Sequence, residues 1–121
     1  MAAILTVDDS PSVRQMVKLV LSSAGHDVTE AGNGAEGLEK AKGARFDLVL
    51  TDLNMPVMNG IAMIRGLRQM PALMGTPIVF LTTESDDAVK LEAKAAGATG
   101  WITKPFKAEQ LHAVVAKLVR T

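Results

Sequence analysis

The sequence contains no cysteine in 121 residues. Thiol nucleophiles, cysteine-ligated metal sites and disulfide scaffolds are excluded together, and the chain is compatible with a reducing compartment. An excess of either charge is also missing: thirteen Lys and Arg balance thirteen Asp and Glu. A protein that coats DNA or RNA generally carries a basic excess, so no nucleic-acid partner is expected. Long apolar runs are absent too. Ile78-Val79-Phe80-Leu81 is typical of the longest, far short of the roughly 18–20 residues of a membrane span, and no membrane partner is expected. The first residues turn acidic at Asp8 and Asp9, unlike a signal peptide, so the expected location is cytoplasmic. No linker or low-complexity segment breaks the chain. With 48% hydrophobic residues it has enough apolar side chains for one core, and a single domain over 1–121 is expected.

What is present is a fivefold alternation of apolar runs and helical patterns. Ala3 to Val7 reads as a buried strand, closed by Asp8-Asp9. Ser10-Pro11 then supplies a cap and a first-turn proline, Val13, Met16, Val17, Val20 and Leu21 follow at helical spacing, and Gly25 stops the helix. The second strand runs from Asp27 to Ala31 and the third from Asp47 to Thr51, ending at Asp52. The fourth runs from Ile78 to Leu81, closed by Thr82-Thr83, and the fifth from Gly100 to Thr103, followed by Lys104-Pro105-Phe106. Helices are predicted after each strand, including one over residues 86–96 and one carrying Leu111, Val114, Val115 and Leu118 on one face. Apolar strands alternating with helices predict a parallel sheet covered on both faces. In such sheets ligands sit beyond the carboxyl ends of the strands.

The residues at those ends are chemically selective. Strand one ends in Asp8 and Asp9, strand three in Asp52, strand four in Thr82 and strand five in Lys104. Crowded carboxylates need a cation or raised pKa values. An all-oxygen acidic cluster suits a hard ion such as Mg²⁺. A lysine and a hydroxyl opposite it could hold the oxygens of a phosphoryl group. The set makes sense as a phosphate acceptor, in which a carboxylate attacks phosphorus and forms an acyl phosphate.

These pieces resemble, in order and spacing and over nearly the whole chain, the receiver domain of two-component response regulators. The matching residues are Asp8-Asp9, Asp52 within Thr51-Asp52-Leu53-Asn54-Met55-Pro56, Thr82-Thr83 after the fourth apolar run, and Lys104-Pro105-Phe106. The resemblance implies a doubly wound α/β fold of five parallel strands in the order 2-1-3-4-5, the flavodoxin-like (βα)5 receiver fold. It implies that Asp52 is phosphorylated by a histidine kinase. Asp9 and Asp52 would ligate Mg²⁺ directly, the Asn54 backbone carbonyl would be a third ligand, and Asp8 would act through a water. Lys104 would pair with Asp52 or its phosphoryl group, Thr82 would move to meet that group, and the Lys104–Pro105 peptide would be cis.

Asn54 and Glu84, at the offsets that flank the path of hydrolytic water in receivers, resemble the fast-turnover chemotaxis regulators of the CheY type. The function this implies is a phosphorylation-activated switch, which assists its own phosphorylation and dephosphorylation without being a turnover enzyme. Its kinase would be CheA-like, and the output face would comprise residues 86–96, 100–103 and 107–119. A monomer is expected, acting on a flagellar motor switch protein or another output protein, with a phosphatase as a further partner. The alternative is a phosphorelay intermediate or phosphate sink exchanging phosphate with a phosphotransfer histidine. A phosphohydrolase reading is disfavoured, because Asn54 stands where those enzymes use a second Asp as acid and base. A flavin carrier is disfavoured by the acidic Asp8-Asp9 loop, which repels phosphate.

One departure concerns the switch aromatic of strand five, usually Tyr or Phe. Here it is Trp101, the single tryptophan, whose larger ring and N–H are not expected to take the usual inward rotamer unchanged. His26 and His112 lack metal-ligand spacing and are read as surface residues. Met55, Met58, Met63, Met70 and Met74 are read as core and loop filler.

Overall fold

Five parallel strands form one sheet: β1 (Ala3–Val7), β2 (Asp27–Ala31), β3 (Leu48–Asp52), β4 (Ile78–Thr82) and β5 (Gly100–Thr103), in the order β2-β1-β3-β4-β5. The helices between and after them are α1 (Pro11–Ser23), α2 (Gly34–Ala41), α3 (Gly60–Arg68), α4 (Asp87–Ala96) and α5 (Ala108–Leu118). The computed structural model describes residues 2–42, 44–52, 59–82, 87–104 and 106–119. The predicted doubly wound architecture and strand order are those observed.

Alternation along each strand divides the core into two layers. Leu5, Val7, Val49, Ile78 and Phe80 face α2, α3 and α4, where Ala41, Met63, Ile64, Leu67, Ala93 and Ala96 complete a buried cluster. Ile4, Leu48, Leu50, Val79, Leu81 and Ile102 face the opposite way and pack with Val17 and Leu21 of α1 and Leu111 and Val115 of α5. Because side chains alternate and both faces are covered, the central strands are apolar at nearly every position. β3 and β4 are buried throughout.

Helix starts are marked by side-chain caps. Ser10, Asn33 and Asn59 accept hydrogen bonds from the backbone N–H groups of Val13, Glu36 and Ala62, which satisfies donors that the helices cannot. Gly97 ends α4 with φ +119°, a conformation that favours glycine. The strand bounds differ from the expected ones by one residue. Asp47 precedes β3, and its carboxylate accepts from the Ala3 N–H at 2.8 Å. Thr82 is the last residue of β4 rather than the first beyond it. An additional single turn, Pro71–Leu73, sits between α3 and β4.

Candidate functional site

Parallel strands with crossover helices place all five carboxyl ends on one edge of the sheet. The register puts Thr51 beside Val7, Asp52 beside Leu81 and Thr82 beside Thr103. Asp8 follows Val7 directly, and Lys104 follows Thr103 with its backbone N–H bonded to the Thr82 carbonyl at 2.8 Å. Four predicted site residues therefore converge because each lies at or one step past the end of a neighbouring strand.

The geometry is tight. One carboxylate oxygen from each of Asp8, Asp9 and Asp52 lies within 4.8 Å of the others. The Lys104 ammonium sits 3.2 Å from Asp8 Oδ2 and 3.3 Å from Asp52 Oδ2. Asp8 is wholly buried and Asp52 is 8% exposed, whereas Asp9 is exposed. Asp8 is also fixed by the Ser10 N–H, which donates to Oδ1 at 2.9 Å, and its own N–H donates to the Ala31 carbonyl at 3.1 Å. Burial pushes the Asp8 carboxyl above the ordinary carboxylate range, assisted by the nearby Asp52 charge and opposed by the Ser10 hydrogen bond and Lys104. Among the described residues three acidic groups thus gather around the Lys104 ammonium, an arrangement that a divalent cation would balance. The donor set fits Mg²⁺: all ligating atoms are oxygens, one carboxylate is exposed, and the deepest is held by hydrogen bonds.

The expected pairing of Lys104 with Asp52 is observed, but the ammonium is shared with Asp8 at almost the same distance. Asn54, Glu84 and Pro105, and with them the third metal ligand, the hydrolysis-tuning pair and the cis peptide, lie outside the described residues, as do Met55 and Met58. Met63 is buried, Met70 packs against the core, and Met74 is 70% exposed. His112 is exposed. His26 departs from the surface reading: it is half-buried, and its Nδ1 accepts from the Ala2 N–H at 3.1 Å, tying the start of β1 to the start of β2.

Trp101 is 41% exposed. It lies beside Phe80 across β4 and β5, with ring centroids 6.0 Å apart and planes at 30°. The Lys90 ammonium of α4 stands 4.8 Å over the indole, a cation–π distance. The ring is thus held outward, on the face where α4 packs.

A glycine pattern, Gly32-x-Gly34-x-x-Gly37, follows β2 and opens α2 with the spacing of a dinucleotide-binding turn. The structure explains it otherwise. The Gly32 N–H is taken by the Glu36 carboxylate at 2.8 Å, and a Cβ on Gly37 would meet Met63 Sδ at 2.8 Å. An acidic side chain therefore occupies the place a phosphate would take, and Gly37 serves helix–sheet packing.

Comparison with known proteins agrees with this geometry. The sequence profile described as the response regulator receiver domain matches residues 4–116. The chain belongs to the response regulator receiver family. The solved structure of the chemotaxis response regulator CheY4 of Vibrio cholerae superposes with a TM-score of 0.94 at 46% identity, covering 98% of this chain and 99% of that one. The DNA-binding response regulator MtrA of Mycolicibacterium smegmatis is 41% identical over 97% of this chain. The receiver spans about half (50%) of that relative's length. The receiver domain of sensor histidine kinase PA1611 from Pseudomonas aeruginosa PAO1 superposes with a TM-score of 0.90 at 27% identity, covering 97% of this chain and 96% of that one. That structure carries a magnesium ion coordinated in the active-site cleft. Receiver domains are signalling switches of two-component systems that partner with histidine kinases and bind Mg²⁺ in the active site. Among the described residues no helix is long and apolar enough to cross a membrane. The charge argument against a nucleic-acid partner applies to the receiver's own composition; MtrA is itself a DNA-binding protein.

Proposed function

We propose that Asp52 is the phosphoacceptor of this receiver and that Mg²⁺ is held by Asp9 and Asp52, with the Asn54 main-chain carbonyl as a further ligand and Asp8 behind them. The observation that carries the reading is the Lys104 ammonium bridging Asp8 and Asp52 beside the three-carboxylate cluster. An oxygen of Asp52 attacks the phosphorus of a kinase phosphohistidine, the phosphorus–nitrogen bond breaks, and an acyl phosphate forms on Asp52. Mg²⁺, when bound, neutralises charge on the transferring group. Lys104, already oriented by Asp8, stabilises the same negative charge without having to reorganise. Thr82, at the end of β4, supplies a hydroxyl to a phosphoryl oxygen. Asn54 and Glu84 tune hydrolysis. The change reaches a partner through α4, β5 and α5, on which Trp101 and Lys90 stand.

For the partner, similarity to CheY4 over nearly the full length of both chains supports a chemotaxis output such as a flagellar motor switch protein. A second reading, output to transcription, is supported by the similarity to MtrA. A phosphorelay role remains the alternative fate of the phosphoryl group. The test is labelling with radioactive acetyl phosphate and Mg²⁺. We expect one phosphoryl group per chain, lost in Asp52→Asn; one-to-one labelling of that variant overturns the site. Capture on the beryllofluoride-bound protein, but not the free form, of a motor switch component, a transcriptional effector or a phosphotransfer protein then separates the output readings.

A further inference from the structure

Asp9, the proposed metal ligand, is exposed, and the residue before it is held at four atoms. Three atoms of Asp8 are held: the N–H by Ala31, Oδ1 by the Ser10 N–H and Oδ2 by Lys104. The fourth, the main-chain carbonyl, accepts from Nη1 of Arg14 on α1 at 2.8 Å. That carbonyl and the Asp9 N–H belong to one rigid peptide plane, so a group that fixes the carbonyl fixes the plane from which the Asp9 backbone continues.

Arg14 is itself held for this task. Its Nε lies 3.5 Å from the Glu30 carboxylate of β2, which also faces Lys18 at 3.5 Å. Nε is buried without a hydrogen-bond partner, so the ion pair steers the guanidinium while the Asp8 carbonyl receives its short hydrogen bond. Gly32 leaves room for the group: a Cβ there would stand 3.1 Å from Nη1. Glu30 also balances the guanidinium charge, which would otherwise repel a cation beside it.

We infer that Arg14 is a positioning residue for the divalent-cation site, holding the Asp8–Asp9 peptide so that the Asp9 carboxylate is presented toward Asp52. This rests on the proposed Mg²⁺ ligation. Coulomb's law and the positioning role predict opposite signs for the loss of Arg14. Removing a positive charge near a cation site strengthens Mg²⁺ binding on electrostatic grounds alone. Removing the group that orders a ligand weakens it, by about 10-fold or more for an outer-shell partner of a metal ligand.

The experiment is Mg²⁺ titration of the whole chain followed by two-dimensional NMR, with Arg14→Met, which keeps the apolar stem, and Arg14→Lys, which keeps the charge but lacks the planar fork. Arg14→Met should bind Mg²⁺ about 10-fold more weakly than the parent, with Arg14→Lys between them. Before any Mg²⁺ is added, the Asp9 amide resonance should move in Arg14→Met while amides of β4 and α5 keep their positions. Equal or tighter binding by a folded Arg14→Met overturns the inference. If that variant does not fold, Arg14→Lys binding as tightly as the parent overturns it. A parent chain that binds no Mg²⁺ refutes the metal reading itself, which separates the two failures.

Discussion

Replacing Asp8 by Asn should stabilise the metal-free protein at neutral pH and weaken its response to Mg²⁺. Asp8 is wholly buried, and its ionised form gains a 3.2 Å pairing with Lys104 and the Ser10 hydrogen bond. Its pKa is nevertheless raised, first because burial costs the charge its hydration, so the ionised carboxylate opposes folding. An asparagine keeps the acceptor for Ser10, carries no charge to desolvate or to repel Asp52, and gives up the Oδ2 contact with Lys104, which stays paired with Asp52 at 3.3 Å. Replacing a buried ion pair by well-packed neutral groups is neutral or gains about 1–4 kcal/mol, and removing one partner costs about 3–5 kcal/mol where it strands the other charge, which Asp52 prevents for Lys104 here. Because one ion pair is lost here and another retained, the lower half applies, about 1–2 kcal/mol. At roughly 4 °C per kcal/mol for a domain of this size, Tm rises by about 4–8 °C.

The pH dependence has a definite sign. The folded state holds the Asp8 proton more tightly than the unfolded state, so stability of the parent falls as pH rises through the raised folded value. Below the ordinary carboxylate range both states are protonated, and parent and variant should converge. Above the raised value the full gap is present. Thermal unfolding in EDTA between pH 4.5 and 8, followed by circular dichroism, reads this directly. Adding Mg²⁺ stabilises whichever native state binds it, so the gap should shrink or reverse. A variant less stable than the parent at pH 8 in EDTA, or a gap that stays constant on acidification, refutes the reasoning.

Two further perturbations test the packing around the site. Lys90→Ala removes the ammonium over Trp101, which should change the tryptophan emission in the free protein and cost about 0.5–1 kcal/mol; an unchanged spectrum argues against the contact in solution. Gly97→Ala places a Cβ at φ +119° and 2.6 Å from Arg68 Cγ. It should also disturb the Arg68 Nε hydrogen bond to the Gly97 carbonyl, lowering stability by about 1–3 kcal/mol in denaturant unfolding; a neutral result refutes the strain argument.

The fold was legible because the period and chemistry of the apolar runs leave few solutions. Val49 and Leu50 are both buried on opposite faces of one strand, as a sheet covered on both sides requires. Site membership was legible for a related reason. Parallel strands share one carboxyl edge, so the polar residue ending each apolar run must lie near the others. Element bounds were less legible: Thr82 continues β4, because a strand ends where its pairing ends and not where its hydrophobicity does. The Gly32-Gly34-Gly37 spacing shows the converse, a local pattern whose meaning depends on Met63 and Val7 arriving from other elements.

By itself the sequence determined that Asp8, Asp9, Asp52, Thr82 and Lys104 would gather at one edge, because the order of residues within each strand–helix unit dictates which side chain ends it. Only the tertiary structure decided how they pair. Lys104 divides its charge between Asp8 and Asp52, Asp8 is buried while its neighbour Asp9 is exposed, and Arg14 holds the peptide between them. Likewise Trp101 stays outward because β5 is an edge strand and Lys90 covers the ring from α4. Such distances depend on the register of strands and the placement of helices distant in the chain, and these are set by packing across the whole core.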